Sequence, residues 1–145
     1  MTHANVAPTV AGIARPDVVA LDATASIGDA ARTMARRRIG SVAVRDGGEV
    51  VGLVTERDLL LKVLVHGADA SRPLREAMRP DVPRVAADES EVACAALMRD
   101  HATRHLLVED DGKVVGVVSM RDVIDAMLHE KQYLIDQLAT YINGR

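Results

Sequence analysis

The sequence of 145 residues contains one segment twice, with a constant offset of 64 residues. Residues 15–18 (Arg-Pro-Asp-Val) return unchanged as residues 79–82, and 9 of the 15 residues from 44 to 58 are identical to their counterparts in 108–122. A repeat of this length indicates one supersecondary unit that has been duplicated, so that each copy covers an apolar face which the other cannot bury alone. Two copies predict a closed pair and not a solenoid.

Each copy predicts the same order of elements, β-α-β-β-α, which places the chain in the α/β (α+β) class. A short strand at 18–21 or 82–85 precedes a helix that begins after Ser26 or Ser90. Two strands follow, 41–45 with 50–54 in the first copy and 105–109 with 113–118 in the second, and the glycines between them favour a hairpin turn with positive φ. Thr55 then starts a helix through about residue 65, and Ser119 starts its longer counterpart.

These patterns predict four segments of the chain. Repeat 1 covers 10–66, a linker of glycine, proline and small residues covers 67–73, repeat 2 covers 74–128, and a C-terminal helix extension covers 129–145. Short helices are expected through Leu74, Ala77 and Met78 and, at the matching position of the first copy, through Val10 and Ile13.

The last helix carries apolar residues that alternate in spacings of three and four. They are Ile124, Met127, Lys131, Leu134, Leu138 and Tyr141, with a lysine among them. This spacing is typical of a coiled-coil seam, so we expect a homodimer. Because the pattern is short and includes the lysine, folding of this face back onto its own domain stays open as the alternative.

Composition and charge exclude several classes of partner. The formal net charge is -3, the basic residues are dispersed, and the chain has no Phe or Trp and two Tyr. A nucleic-acid-binding surface needs clustered positive charge and often aromatic side chains for stacking, so we expect no nucleic acid partner. The core must instead be packed from aliphatic side chains.

The N-terminal residues and the single cysteine bear on the compartment. Residues 1–8 lack a basic start and a long apolar run, and no stretch approaches transmembrane length, so we expect no secretory signal and no membrane partner. Cys94 lies among apolar residues and cannot form an intrachain disulfide, which fits a packed thiol in a reducing cytoplasm.

Candidate catalytic and metal-ligating groups are sparse. His101 and His105 are four residues apart, but the helix is expected to end between them, so the two rings do not share a face. Neither a Gly-x-x-x-x-Gly-Lys loop nor a Gly-x-Gly-x-x-Gly motif is present. We therefore expect no enzyme activity, no metal site and no required cofactor.

Residues 50–58 and 114–122 share a Gly-h-h-(Thr/Ser)-x-Arg-Asp pattern, where h is an apolar residue. With the repeated element order, this pattern resembles the ends of two cystathionine-β-synthase-type (CBS) domains, over residues 10 to 128. The resemblance implies a stand-alone Bateman module, in which two CBS repeats pack as a pseudo-two-fold pair. It also implies a regulatory sensor that binds an adenine nucleotide or adenosyl ligand (AMP, ADP, ATP or S-adenosylmethionine) in the cleft between the repeats and signals to an unknown regulated protein.

The residues of the pattern suit such a ligand. Thr55 and Ser119 lie where a strand ends and a helix begins, a place where free backbone N–H groups and the positive end of the helix favour phosphate. The resemblance implies that Asp58 and Asp122 bind ribose hydroxyls, while Arg57 and Arg121 offer planar donors to phosphate oxygens. The alternative is that Thr-x-x-Asp and Ser-x-x-Asp only cap their helices, although one residue can do both.

The second copy carries a basic pair, Arg104 and His105, where nucleotide-binding members of the family have residues that reach phosphates. The matching residues of the first copy are Gly40 and Ser41. The resemblance therefore implies two unequal sites, with more positive charge at the second. The alternative is that Arg104 and His105 are polar residues that shield a strand edge.

Ala43 and Leu107 stand where many members of the family have a proline in this strand. Such a proline leaves backbone groups free for the edge of a base, so its absence concerns base recognition more than ribose or phosphate binding. It favours the alternative function, a ligand-free scaffold for dimerisation and interaction.

Overall fold

The structure, a computed structural model, describes residues 9–14 and 18–144. The described residues form two compact units. The first-copy unit contains residues 18–82, and the second-copy unit contains residues 9–14 together with 83–144. The short segment at the start of each predicted repeat therefore belongs to the unit built around the other copy. The boundaries predicted for the repeats describe the sequence duplication and stay a prediction.

The elements follow in the predicted order. They are α1 (Val10–Ile13), β1 (Ala20–Asp22), α2 (Ile27–Arg37), β2 (Ser41–Asp46), β3 (Glu49–Thr55), α3 (Glu56–Leu59), β4 (Arg84–Ala86), α4 (Glu91–Asp100), β5 (His105–Asp110), β6 (Lys113–Ser119) and α5 (Met120–Ile142). A π-helical segment (Leu60–Val65) continues α3, and a 3-10 turn (Leu74–Glu76) precedes β4. The predicted α/β class with two β-α-β-β-α repeats and a long C-terminal helix is confirmed.

Each unit contains a three-stranded sheet. In the first-copy unit β1 pairs parallel with β2, which pairs antiparallel with β3, and β4, β5 and β6 repeat this arrangement in the second-copy unit. A register shift follows Val44 in one unit and Val108 in the other, which are equivalent positions of the repeat. The duplication therefore preserves the irregularity of the hairpin as well as its strands.

The predicted strands before each first helix begin two residues too early. Residues 18–21 were expected to be extended, whereas the strand is Ala20–Asp22, and β4 is displaced in the same way. The cause is the parallel pairing, because Ala20 is the first residue that faces a partner, Ala43, in the register. The predicted hairpin turn is confirmed, with φ of 62° at Gly47 and 85° at Gly48.

The helix expected from Thr55 to about residue 65 is α-helical only to Leu59 and then changes to π-helical hydrogen bonding. In this segment the His66 amide donates to the Leu61 carbonyl at 2.9 Å. The short helix expected through residues 74–78 is present as a 3-10 helix and is shorter than predicted, since it covers Leu74–Glu76. Short turns of this kind are frequent as connectors.

Each unit has its own core of aliphatic side chains. In the first-copy unit Ile27, Val42, Val54 and Leu74 are among the buried side chains. The core of the second-copy unit contains Val10, Val85, Cys94, Met98, Leu106, Val108, Val118 and Val123. The Cys94 thiol is buried, and burial raises its pKa to about 11. Cys94 is thus a packed core residue, as predicted, and its raised pKa disfavours the reactive thiolate.

The end of α5 contrasts with both cores, since every described residue from 131 onward is exposed. Its exposed apolar side chains are Tyr133, Leu134, Ile135, Leu138, Tyr141 and Ile142. Three of them belong to the predicted seam. Across the described ranges, none of the helices has both the length and the apolar character that a membrane span requires.

Candidate functional site

The start of α3 is closed by a reciprocal pair of hydrogen bonds between Thr55 and Asp58. The Thr55 amide and hydroxyl donate to Asp58 Oδ2 at 2.8 and 2.9 Å, and the Asp58 amide lies 3.2 Å from Thr55 Oγ1. This is a capping box, which satisfies backbone donors that the first helical turn leaves free. Both residues are buried, with 6% and 7% of their surface exposed. The capping interpretation of this Thr-x-x-Asp motif is confirmed.

Asp58 accepts a third hydrogen bond from Arg79, which is not among the residues predicted for the site. Arg79 Nε donates to Asp58 Oδ1 at 2.8 Å. The carboxylate therefore accepts two hydrogen bonds at Oδ2 and one at Oδ1. The sequence feature that could have pointed to Arg79 is the repeated Arg-Pro-Asp-Val segment, which places an arginine at both 15 and 79. Arg15 lies outside the described residues.

The backbone of Arg79 is held against β3 by Leu53 and Gly52. Arg79 and Leu53 exchange two backbone hydrogen bonds, at 2.9 and 3.2 Å, in an isolated antiparallel bridge. A Cβ atom on Gly52 would lie 2.6 Å from the Arg79 carbonyl oxygen and 3.0 Å from Met78 Sδ. Glycine is thus required at position 52 for the segment to approach, and this approach brings the guanidinium to Asp58.

The start of α5 has the same capping geometry. The Ser119 amide donates to Asp122 Oδ2 at 2.9 Å, and the Asp122 amide donates to Ser119 Oγ at 3.1 Å. Ser119 and Asp122 are half-buried, so this carboxylate is more open to solvent than that of Asp58. The capping interpretation of Ser-x-x-Asp is confirmed as well.

The amides at these helix starts are less free than the sequence suggested. The Glu56 amide donates to the Gly40 carbonyl at 3.0 Å, and the Met120 amide donates to the Arg104 carbonyl at 2.8 Å. With the caps in place, the second amide of each helix, that of Arg57 or Arg121, is the one with no acceptor among the described residues. The expectation of several free amides for a phosphate is therefore wrong, because the preceding strand and the caps use most of them.

The remaining predicted residues gather around these helix starts, in one set for each unit. Ser41 faces Thr55 across the β2–β3 pair, and His105 faces Ser119 across the β5–β6 pair. Arg104 is exposed immediately before β5, whereas the His105 side chain is half-buried and its amide is 3.4 Å from Thr103 Oγ1. The side chains of Arg57 and Arg121 are exposed. Each unit therefore presents hydroxyl, carboxylate and cationic groups at one strand–helix junction.

The strand positions that lack the proline of the family are fully used by the sheet. The Ala43 amide donates to the Val19 carbonyl at 2.8 Å, and the Leu107 amide donates to the Pro83 carbonyl at 3.0 Å. Proline at either position would remove the donor and leave the carbonyl free to accept from a base. In this chain each carbonyl already accepts one hydrogen bond within the sheet, so each has one acceptor site fewer for a base edge.

A metal centre is not formed by the described part of the chain, which holds no group of three or more His, Cys, Asp or Glu side chains placed to bind a metal ion. His101, which follows the end of α4, is exposed. The chemistry of the two junctions is consequently that of hydrogen bonding and charge.

Comparison with known proteins gives the family and its structural relatives. The model of the CBS domain matches residues 10–65 and 74–129. The mitochondrial CBS domain-containing protein CBSX3 of Arabidopsis thaliana is 31% identical over 122 residues, which cover 80% of this chain and 59% of that protein. The chain thus spans less than two thirds of the length of this relative.

Two solved structures are similar to the whole fold. A protein with CBS domains from Burkholderia ambifaria has a TM-score of 0.79 and 32% identity, over 84% of this chain and 95% of that one. The CBS domain pair of protein MJ0100, solved in complex with 5′-methylthioadenosine and S-adenosyl-L-methionine, has a TM-score of 0.76 and 25% identity over 86% of this chain and 98% of that one. Both comparisons cover the two repeats together.

Proposed function

We propose that this chain, which belongs to the CBS domain family, is a regulatory sensor that binds an adenine nucleotide or adenosyl ligand and signals occupancy to a partner protein. The observation that supports it most is the cluster at each strand–helix junction, where a capping hydroxyl, a carboxylate and cationic side chains lie together. Such a cluster offers acceptors for a ribose diol and donors for an anionic tail.

The ribose is assigned to the aspartates. Asp58 and Asp122 each hold a carboxylate at the first turn of a helix, where it accepts from the amide of the N-cap residue, Thr55 or Ser119, three positions earlier. A carboxylate accepts up to about four hydrogen bonds, and that of Asp58 accepts three within its unit, so it retains capacity for a hydroxyl donor. A ligand that lacks the 2′ or 3′ hydroxyl is expected to bind more weakly.

The anionic part of the ligand is assigned to the hydroxyls and arginines. Thr55 and Ser119 carry hydroxyls at the positive ends of their helices, and the exposed Arg57 and Arg121 side chains lie one turn or less away. Arg104 and His105 add positive charge at the second junction, where the first has Gly40 and Ser41. The second site is therefore the stronger one for a ligand with several phosphates.

The range of ligands follows from these contacts. AMP, ADP, ATP and S-adenosylmethionine share the adenosyl group and differ in the charge of the tail. The MJ0100 pair, solved with two adenosyl compounds, supports this class. Because the carbonyls of Val19 and Pro83 are paired within the sheet, selectivity for the base is expected to be weaker than selectivity for the ribose.

A regulatory role is proposed for the chain, and the match of the CBS domain model to both repeats supports it. We propose that binding requires no further cofactor and that the regulated protein is a separate chain. A ligand changes the response only through contacts that differ between two states of the protein. The buried thiol of Cys94 fits a reducing compartment such as the cytoplasm.

Homodimerisation through the end of α5 is the second part of the proposal. Leu134, Leu138 and Tyr141 of the seam are exposed, at 48%, 61% and 85%. The described part of its own unit leaves this apolar stripe of α5 uncovered. A second copy of the chain that covered the stripe would bury its apolar surface and stabilise the dimer. This surface, called the α5 seam below, consists of Ile124, Met127, Lys131, Leu134, Leu138 and Tyr141.

A ligand-free scaffold is the competing function. The paired carbonyls of Val19 and Pro83 favour it, as does the confirmed capping role of Thr55, Asp58, Ser119 and Asp122, which gives these residues a purpose without a ligand. In that case the units form a stable body and the α5 seam makes the contact.

A thermal-shift screen with AMP, ADP, ATP and S-adenosylmethionine separates the two functions. A ligand at about 100 times its dissociation constant adds about 2.7 kcal/mol to the free energy of unfolding. A sensor is expected to show this rise with at least one compound, and adenine alone is a matched control for the missing ribose. Melting temperatures that no adenosyl compound raises at millimolar concentration would favour the scaffold.

A further inference from the structure

The hydrogen bonds of Asp58 leave its two carboxylate oxygens unequal. Oδ2 accepts from the Thr55 amide and hydroxyl, and Oδ1 accepts from Arg79 Nε. Since each oxygen has about two acceptor sites, Oδ2 is filled while Oδ1 keeps one site. In this state the carboxylate cannot accept one hydrogen bond on each oxygen from a pair of neighbouring hydroxyls.

The Thr55 hydroxyl is the partner that can leave at little cost. It rotates about a single bond, and it can donate to a ligand phosphate while still accepting from the Asp58 amide at 3.2 Å. The Thr55 amide cannot turn away in this manner because it is part of the backbone, and Arg79 Nε is retained by its ion pair with Asp58 Oδ1 at 2.8 Å. The amide belongs to the cap, and Arg79 is bridged to Leu53.

After rotation of the hydroxyl, the carboxylate offers one free acceptor site on Oδ2 and one on Oδ1. Two sites on two oxygens match the two donors of a vicinal diol, the arrangement of the 2′ and 3′ hydroxyls of ribose. The plane of the carboxylate is then set at one end by the Thr55 amide and at the other by Arg79.

We infer that Arg79 is a positioning residue which orients Asp58 for a vicinal diol and so makes the first-copy site selective for ribose over deoxyribose. This inference rests on the proposed function. It assigns a role to Arg79, whose side chain is 35% exposed and pairs with a carboxylate that is 9% exposed. Without Arg79 the carboxylate is held at Oδ2 alone and can turn, so that its two acceptor sites no longer match the diol.

The test compares AMP with 2′-deoxy-AMP, and ATP with 2′-deoxy-ATP, by calorimetric titration. Asp122→Ala serves as the background, so that the first-copy site is the one measured. Arg79→Met removes the donors and keeps much of the aliphatic stem, and Arg79→Lys keeps the charge without the planar Nε donor. Arg75→Met is the matched control, because Arg75 lies in the same unit in a distant, exposed pair with Asp46 at 3.8 Å. Circular dichroism verifies that each variant is folded.

The ratio of ribose to deoxyribose affinity is the decisive quantity. Loss of positive charge or a small structural change weakens the binding of the ribonucleotide and of the deoxyribonucleotide by the same factor, so the ratio of their affinities is unchanged. We expect the background protein to prefer the ribonucleotide by about tenfold or more, the strength of a hydrogen bond to a charged acceptor. Both Arg79 variants are expected to lose most of this preference, while Arg75→Met retains it.

The outcomes that overturn the inference are distinct from failure of the proposed function. If the Arg79→Met and Arg79→Lys variants are folded and keep the ribose-to-deoxyribose affinity ratio of the background protein, the inference alone is overturned. If the unmodified protein binds a nucleotide and Asp122→Ala abolishes this binding, the ligand lies at the second-copy unit. This result also overturns the inference and leaves the proposed function standing. No binding of any adenosyl compound to the unmodified protein overturns both.

Discussion

Arg79 Nε lies 2.8 Å from Asp58 Oδ1 and joins two residues that are 21 positions apart in the sequence. The contact ties the segment before β4 to the first turn of α3, and the Arg79–Leu53 bridge holds the same segment at the edge of β3. Asp58 is consequently a structural residue and a candidate ligand-binding residue at once. Stability and binding must therefore be measured separately at this position.

Substitution of Asp58 tests its structural role. Asp58→Ala removes one side of the capping box and leaves Arg79 without its carboxylate, so we expect the free energy of unfolding to fall by about 2–3 kcal/mol. Asp29 is the matched control, because it occupies the same position of the capping box at the start of α2 but is half-buried. Asp29→Ala is expected to cost about 1 kcal/mol. Asp29 itself pairs with the exposed Arg32 at 2.7 Å, so equal losses in urea denaturation would show that the Arg79 contact contributes no more than an exposed ion pair.

A double-mutant cycle measures the contact itself. Arg79→Met, Asp58→Ala and the double variant are expected to give a coupling energy of about 1 kcal/mol in the free energy of unfolding, since the pair is partly buried. The Arg75–Asp46 pair, at 3.8 Å and exposed, is expected to give a value near zero. Additive effects of Arg79→Met and Asp58→Ala would contradict the pairing.

Gly52 is predicted to be intolerant of a side chain. Gly52→Ala would place a Cβ 2.6 Å from the Arg79 carbonyl oxygen, so the bridged segment must move, at an expected cost of about 1–3 kcal/mol. Gly40→Ala is the control, because its Cβ would meet its nearest neighbour, Glu56, at 3.8 Å. Thermal denaturation that finds both variants equally stable would contradict the close approach.

How far the sequence predicts this architecture depends on the range of the interactions. The element order, the hairpin glycines and the capping boxes at Ser26, Thr55 and Ser119 were predictable, because they depend on residues within a few positions of one another. The π-helical segment 60–65 was not, because an apolar helical pattern is the same for both types of hydrogen bonding.

The composition of the candidate site was harder to predict than the fold. The Thr55–Asp58 and Ser119–Asp122 pairs were found from their spacing, but the Arg79 contact depends on a bridge to Leu53 that no local pattern indicates. The use of the Glu56 and Met120 amides by the preceding strand positions is also a tertiary feature. The sequence thus suggested a more open phosphate site than the structure presents.

Glu91 gives a pH dependence of stability. It is 5% exposed, and its Oε2 has no hydrogen-bond partner among the described residues. Burial, and then the neighbouring Glu130 carboxyl, raise the pKa of Glu91 above its ordinary value. The folded state therefore holds this proton more tightly than the unfolded state, and ionisation of Glu91 destabilises the fold as the pH rises above the ordinary pKa of glutamate.

Glu91→Gln removes this titration. We expect the stability of the variant relative to the parent to increase from about pH 4 to about pH 7 and to be smallest at the acid end, where the parent is protonated in both states. Glu89→Gln, at an exposed neighbouring position, is expected to show no such trend. Denaturant titrations at several pH values provide the measurement. A relative stability that falls with pH would contradict the burial of an ionisable carboxylate at Glu91.

The α5 seam predicts the oligomeric state. Leu134→Asp with Leu138→Asp places two charges in the seam and is expected to convert a dimer into a monomer, as measured by light scattering after size-exclusion chromatography. Gln132→Asp with Ala139→Asp adds the same charges outside the seam and is expected to leave the dimer intact. A monomeric parent protein, or a dimer that survives the seam substitutions, would contradict this interface.

Calorimetric titration of the unmodified protein with AMP, ATP and S-adenosylmethionine, with adenine as the control, tests the central claim most directly. We predict saturable binding of at least one adenosyl compound, with weaker binding in both Asp58→Ala and Asp122→Ala, each at its own site. An absence of binding heat with all three compounds, or affinities that neither substitution changes, would contradict the claim that these two helix starts form ligand sites.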